Sequence, residues 1–324
     1  MSKTEHAFEV GERSGVSPPA ITLATQNRGT NTAPLADTSS SGSAIVQQPP
    51  GGATGLVFDP IGFWVAQSNS VLSYPADGND LCYSLEEDSF WFRHRNELIA
   101  ETLRRLPPGG TLFDVGGGNG YVAAGLERAG FPTVLVEPGR TGAANACRRG
   151  LRNVINATTD EAGFTPGSLD AVGLFDVLEH IPDDLGFLQS LHRLMRPGGR
   201  IYLTVPAVQL LWSSEDEYAG HQRRYRRSSL ARVLQAAGFE VEYLTYCFWF
   251  LPLPVFLLRA IPSWLGWRKG PTKQSATKEH STKSGLAGWL VNRALSWELA
   301  RVSRGQTLWL GNSCLAVARK RDGV

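Results

Sequence analysis

Cysteine is scarce: the 324-residue chain has four, Cys82, Cys147, Cys247 and Cys314. They show neither the paired spacing of a zinc site nor the density of a disulfide framework, so reduced thiols in a cytoplasmic protein are expected, and no metal site is. An excess of one charge is also missing. Lysine and arginine number 32 against 30 acidic residues, which removes whole-surface attraction to nucleic acid, so no nucleic-acid partner is expected and charge must act locally. No window reaches the roughly 18 uncharged apolar residues of a membrane span, and the opening "MSKTEHAFEVGERSGV" lacks the apolar core of a secretory signal. Aromatic residues are nearly absent from positions 1–55, where Phe8 stands alone among Ser, Thr, Gly, Pro, Ala and Gln. Such a stretch cannot bury enough surface to offset chain ordering, so a disordered tail is expected there.

What is present begins at "GLVFDPIGFWV", where aromatic content rises. Residues 56–108 read as a helical cap, with "LEEDSFWFRHRNELIAETLRRL" as a helix leading into the main domain. Beyond it two periods alternate. "TLFDV", "TVLVE", "NVINA", "LDAVGLFDV" and "RIYLTVP" read as strands, several of them continuous apolar runs buried on both faces, and helical patterns lie between them. "SSLARVLQAAGF" adds a helix, "EVEYLTYCF" a strand and "LWLGNSCLAVARK" a closing strand. This alternation implies an α/β fold with a doubly wound, mostly parallel sheet of seven strands, built from residues 109–248 and 307–321.

In such a sheet ligands bind where the first strand turns into its helix, and "FDVGGGNGY" stands there. The dinucleotide fingerprint G-x-G-x-x-G is absent: Gly116, Gly118 and Gly120 follow G-x-G-x-G, with Tyr121 at the next position. Glu137 ends the second strand 21 residues after Gly116, placed to accept hydrogen bonds from two ribose hydroxyls. A ribose without a pyrophosphate is implied.

With its acid and glycines, "LFDVGGGNGY" resembles the first motif of the class I S-adenosylmethionine-dependent methyltransferases. "VLVE", "LDAVGLFDVLEHIPDD" and "LMRPGGRIYLTVPA" resemble the second-, fourth- and fifth-strand motifs of that family, in order. The resemblance covers about residues 85–250 and the closing strand. It implies a Rossmann-like fold and S-adenosyl-L-methionine as cofactor, with Asp114 orienting the methionine part. Gly116, Gly118 and Gly120 would pack against it, Glu137 would hold the ribose, and Asp160 (or Glu161) would accept from the adenine amino group. Trp91 and Arg95 of the leading helix would complete the pocket or anchor the helix.

Methyl transfer to a hydroxyl asks for a group that takes its proton. "LWSSEDEYAGHQRRYRRSSL" offers His221 as base with Asp216 beside it, and Arg223, Arg224 and Tyr225 to bind an acceptor through a phosphate or carboxylate. Glu179 and His180 in "LEHIPDD" line the cofactor pocket in the resembling family, and they equally suit a loop-fixing role. Between the last two strands, 249–306 form an apolar and basic insertion. Its aromatic-rich part, 246–268, suits a membrane interface at the inner face, or a hairpin packed on the domain or on a second copy. The expected activity is O-methylation of a small or lipid-linked metabolite. The alternatives are a nicotinamide-dependent oxidoreductase on a similar sheet, or a non-catalytic nucleoside-binding scaffold at a membrane.

Overall fold

A computed structural model of the protein describes residues 48–67, 83, 86–267 and 285–321. Parallel strands buried on both faces dominate it. β3 (Leu112–Val115) and β4 (Thr133–Val136) have every residue buried, as their unbroken apolar runs require. With β5 (Val154–Asn156), β6 (Leu169–Phe175) and β7 (Met195–Pro206) they form the parallel centre of the sheet. β8 (Phe239–Cys247) and β9 (Ser313–Lys320) close one edge, with β9 antiparallel to both of its neighbours.

The sheet has nine strands rather than the expected seven, in the order β1-β2-β5-β4-β3-β6-β7-β9-β8. The two extra strands are β1 (Leu56–Asp59) and β2 (Phe63–Ala66), an antiparallel hairpin inside the stretch read as a helical cap. Phe63 and Ala66 are buried while the residues between them are only partly so. That short apolar edge is satisfied by pairing Trp64 and Val65 with β5.

The boundary of the expected tail also moves. Its residues up to 47, and Cys82, lie outside the described residues, but Pro50–Gly52 forms a helical turn on the domain. The Ser168 and Thr165 hydroxyls donate to the carbonyls of Gly51 and Gly52 at 2.8 and 3.2 Å. A Cβ on Gly51 would stand 2.9 Å from the Phe113 ring, so this glycine is what lets the turn lie on the core.

Helices cover both faces. α1 (Phe90–Arg105) starts at Ser89, whose hydroxyl accepts from the amides of Trp91 and Phe92, satisfying two of the helix's unpaired donors. α2 (Tyr121–Arg128), α3 (Arg140–Arg148), α4 (Asp184–Leu194), α5 (Ser214–Ala219) and α6 (Arg227–Ala236) follow their strands. The chain winds outward from β3 through β4 to β5, then returns to place β6 on the other side of β3. A crevice therefore opens at the carboxyl ends of β3 and β6. The non-glycine residues with left-handed backbone, Asp176, Val208 and Phe248, with φ of 60°, 65° and 57°, directly follow the ends of β6, β7 and β8 or come two residues on. Such conformations cost of order 1–3 kcal/mol each and cluster at functional sites.

The insertion between β8 and β9 holds three abutting helical segments, Pro252–Val255, Phe256–Ala260 and Ile261–Trp264, and α7 (Leu286–Ser303). Its lysine-bearing loop, with Arg268, Lys269 and His280, lies outside the described residues. α7 docks on α1 through a buried pair: Nε2 of His94 lies 3.1 Å from Oε2 of Glu298, with side-chain exposures of 2% and 0%. Burial alone would lower the His94 pKa, but hydrogen bonds to Glu298 and Glu97 overcome it and leave the pKa raised. A raised folded-state pKa means that this contribution is complete below the ordinary histidine range and is lost as pH rises through the raised value. Glu298→Ala, which strands a buried imidazole, is expected to cost about 3–5 kcal/mol at pH 6 and less at pH 9, read from urea unfolding at both values.

Candidate active site

At the β3 end of the crevice, Asp114 is completely buried and neither of its carboxylate oxygens has a hydrogen-bond partner at normal geometry. Burial raises its pKa to about 7; the Arg95 guanidinium and the Ala123 amide oppose the rise, and Glu137 adds to it. The glycine loop wraps over this carboxylate. A Cβ on Gly116 would meet Val177 at 2.9 Å, and one on Gly120 would meet Leu151 and Ala146 at 2.6 and 2.8 Å. Those two glycines are required by the protein's own packing, whatever they also border. Gly118, at φ 55°, has nothing within 4 Å of its missing Cβ, so its backbone alone borders open space.

Glu137 faces that loop. Its two oxygens accept from the amides of Gly118 and Gly139 at 2.9 and 2.6 Å, and burial keeps its pKa above the usual carboxylate range despite both bonds. Asn156 holds the turn behind it by donating to the carbonyls of Glu137 and Pro138. Asp160 is exposed beyond β5, whereas Glu161 is committed to the Thr158 amide and hydroxyl, which leaves Asp160 as the carboxylate available there. A network the sequence did not reveal braces the loop from outside: Arg149 donates to the Asn119 carbonyl at 3.0 Å and pairs with Glu86, and Asn145 donates to the Asn119 side chain at 3.0 Å.

Trp91 stacks on Phe248, ring centroids 5.5 Å apart, and carries the Arg95 guanidinium on its face at 4.6 Å. Arg95 then pairs with Asp176, so it spans from α1 to the end of β6. Trp91 thus anchors the helix and seats this arginine.

On the β6 side a second cluster forms. The turn Leu178–His180 carries Glu179, which is wholly buried with both carboxylate oxygens unpartnered; burial and the nearby Asp176 hold its pKa well above the usual range. His221 Nε2 lies 3.9 Å from its Oε1, and the His180 and His221 rings stand 4.8 Å apart. His221 Nδ1 lies 2.8 Å from Asp216 Oδ1.

Asp216 is committed elsewhere. It accepts two bonds from Arg224, at 2.8 and 2.9 Å, and one from the Ser213 amide, and is buried at the start of α5. Its bond to Nδ1 orients His221. The three residues expected to bind the acceptor also have partners within the protein. Arg224 is spent on Asp216 and the Ala207 carbonyl, Arg223 on Asp184 and the Pro182 carbonyl, and Tyr225 is buried with its hydroxyl donating to Asp184 at 2.7 Å. These side chains fasten the 207–225 loop to the 182–184 turn and so hold His221 opposite Glu179. Sequence reasoning undervalued Glu179; the signal was an acid between apolar residues just after an apolar strand, in "FDVLEHI".

An unpartnered buried carboxylate suits the ammonium of an amino acid, and a second carboxylate at a strand end beside bare backbone suits the hydroxyls of a nucleoside. The residues present therefore fit S-adenosylmethionine. Fold and site together define a class I, Rossmann-like nucleoside-binding domain. Residues 91–244 match the family model described as "Methyltransferase domain", so this segment carries the domain of the S-adenosylmethionine-dependent methyltransferases. It is 27% identical over 171 residues to a protein of Mycolicibacterium smegmatis named "Probable S-adenosylmethionine-dependent methyltransferase", covering 52% of this chain and 66% of the relative. It is 28% identical over 153 residues to the ubiquinone biosynthesis O-methyltransferase of Aeromonas salmonicida, covering 41% of this chain and 64% of the relative. The chain thus spans less than two thirds of the length of these curated relatives. Among solved structures, phosphoethanolamine N-methyltransferase 2 of Haemonchus contortus with S-adenosyl-L-methionine aligns at 19% identity and a TM-score of 0.48, covering 76% of this chain and 58% of that one.

Proposed function

We propose that the protein transfers the methyl group of S-adenosylmethionine to a hydroxyl of a small or lipid-linked metabolite. The observation that carries the cofactor half is the pairing of Asp114, buried and unpartnered, with Glu137 across the open backbone of Gly118. Asp114 holds the amino-acid end, Glu137 the ribose and Asp160 the adenine amino group. The cofactor supplies a methyl group on a sulfonium, and its transfer to oxygen leaves a neutral thioether. The hydroxyl must lose its proton as it reacts, and Glu179, His180 and His221 form the ionisable cluster on the neighbouring strand end that serves this step. The likeness to an O-methyltransferase supports an oxygen acceptor.

The lipid-linked reading rests on the insertion. Among the described residues no helix is long and apolar enough to cross a membrane. Yet Leu253, Leu258 and Trp267 are 66%, 66% and 78% exposed, and Trp249, Trp264, Trp289 and Trp297 are exposed on the same insertion. Tryptophans around an apolar surface suit the headgroup layer of a bilayer, and the insertion's lysines suit anionic lipids. The full chain is expected to sediment with anionic vesicles, and Leu253→Glu with Leu258→Glu to leave it in the supernatant.

Radiolabelled S-adenosylmethionine given to cell extract with the purified protein tests the activity. Label is expected in the lipid or small-metabolite fraction. Label confined to protein or nucleic acid would refute the acceptor class.

A further inference from the structure

We propose that Glu179, His180 and His221 form a binding site for one divalent transition-metal cation, although no metal site is expected from the sequence. One ligand atom from each residue lies within 4.8 Å of the others. Ligands held 2.0–2.2 Å from a zinc-like ion sit about 3 Å apart, so small side-chain rotations close the triangle. Two imidazoles and one carboxylate are a donor set for such ions rather than for magnesium or calcium, which favour all-oxygen shells.

Three features separate this cluster from an ordinary polar contact. Glu179 is 0% exposed, and apart from a poorly aligned approach of its own amide both oxygens lack a hydrogen-bond partner, although an imidazole stands 3.9 Å away. A carboxylate taken out of water without a donor is costly, and a bound cation removes that cost. Both histidines are already braced from behind, as metal-ligating histidines are. Asp216 takes the Nδ1 side of His221, and the backbone of Gly220 is bonded to His180. The bracing extends outward through Arg224, which grips both oxygens of Asp216 and presents the Nε2 side of His221 to Glu179. The His221 side chain is 17% exposed, which leaves a solvent path to the cluster.

The site itself stands on this geometry alone. Its use rests on the methyl-transfer reading above: a Lewis acid there polarises the acceptor hydroxyl, whose proton then leaves to water while its oxygen keeps the electron pair that attacks the methyl carbon. The cluster would thus ease deprotonation through the ion, with His221 as a ligand to it.

The test uses the full chain, stripped of metal with chelator and titrated with cobalt(II) under visible absorption and calorimetry. One cobalt per chain is expected, with d–d bands in the visible. Glu179→Gln and His221→Gln are each expected to weaken binding by about 100-fold or more, and Asp216→Asn by about 10–100-fold through loss of the brace. Calorimetry with S-adenosylmethionine runs in parallel on each variant and doubles as a check of folding. Cobalt binding without cofactor binding would keep the site and refute the methyl-transfer reading. Cofactor binding with no stoichiometric cobalt, or cobalt binding unchanged in Glu179→Gln and His221→Gln, would overturn the site.

Discussion

Asp114→Asn is expected to make the ligand-free protein more stable at pH 8 and to weaken its hold on S-adenosylmethionine by at least about tenfold, the loss of one charge-assisted contact. The stability half follows from burial. The Asp114 pKa stands at about 7 against an ordinary value of 3.8. Because the folded-state value is raised, the folded protein binds the proton more tightly, so this residue favours folding in acid and disfavours it as pH climbs through 7. The asparagine carries no charge to bury and escapes that penalty, which is of the order of a few kcal/mol for a shift of this size. Melting curves of parent and variant should converge below about pH 4, separate progressively as pH rises to about 7, and stay apart above it, the variant higher. Equal melting at pH 8 would mean that Asp114 is satisfied in a way its surroundings do not indicate. The affinity half is read by calorimetry, and parent affinity should itself fall as pH drops below 7 and the carboxylate gains its proton.

His221→Ala is expected to lower kcat by about 10²–10⁴-fold, the usual size of assistance to deprotonation of the acceptor, here lost with the cluster that His221 completes. Cofactor affinity should stay within about threefold of the parent, because Asp114 lies on β3 and Gly118 and Glu137 follow β3 and β4, while His221 faces the turn after β6. Loss of cofactor binding along with turnover would place His221 in the nucleoside pocket instead. Arg224→Gln, which removes the bidentate grip on Asp216, should cost less than His221→Ala and act through kcat, since the arginine is buried behind the dyad and does not face the crevice.

The nucleoside half of the site was legible because its parts are local. β3, the glycine turn and α2 form one continuous stretch, and Glu137 ends the very next strand. Spacing along the chain there is nearly distance in space. The acceptor half depends on pairings between distant segments. Asp216, Arg223, Arg224 and Tyr225 have the residue types of a binding loop, and nothing in a run such as "HQRRYRR" tells which guanidinium faces outward. Asp184 and Asp216, which capture three of these side chains, lie outside that run, and only the fold fixes the distances. The β1–β2 hairpin was missed for a related reason: a four-residue strand has too little periodicity to declare itself until β5 offers an edge to pair with.

By itself, the order of apolar strands and helical segments determined a doubly wound sheet, and the acid-glycine turn followed by a strand-ending glutamate determined a nucleoside pocket at its switch point. Both are short-range consequences of period and backbone freedom. The tertiary structure decided which polar groups are left without partners. It buries Asp114 and Glu179 with no hydrogen-bond partner at normal geometry and brings His180 and His221 together from segments 41 positions apart. Whether a side chain is satisfied depends on every neighbour that packing delivers, and no single stretch of sequence carries that information.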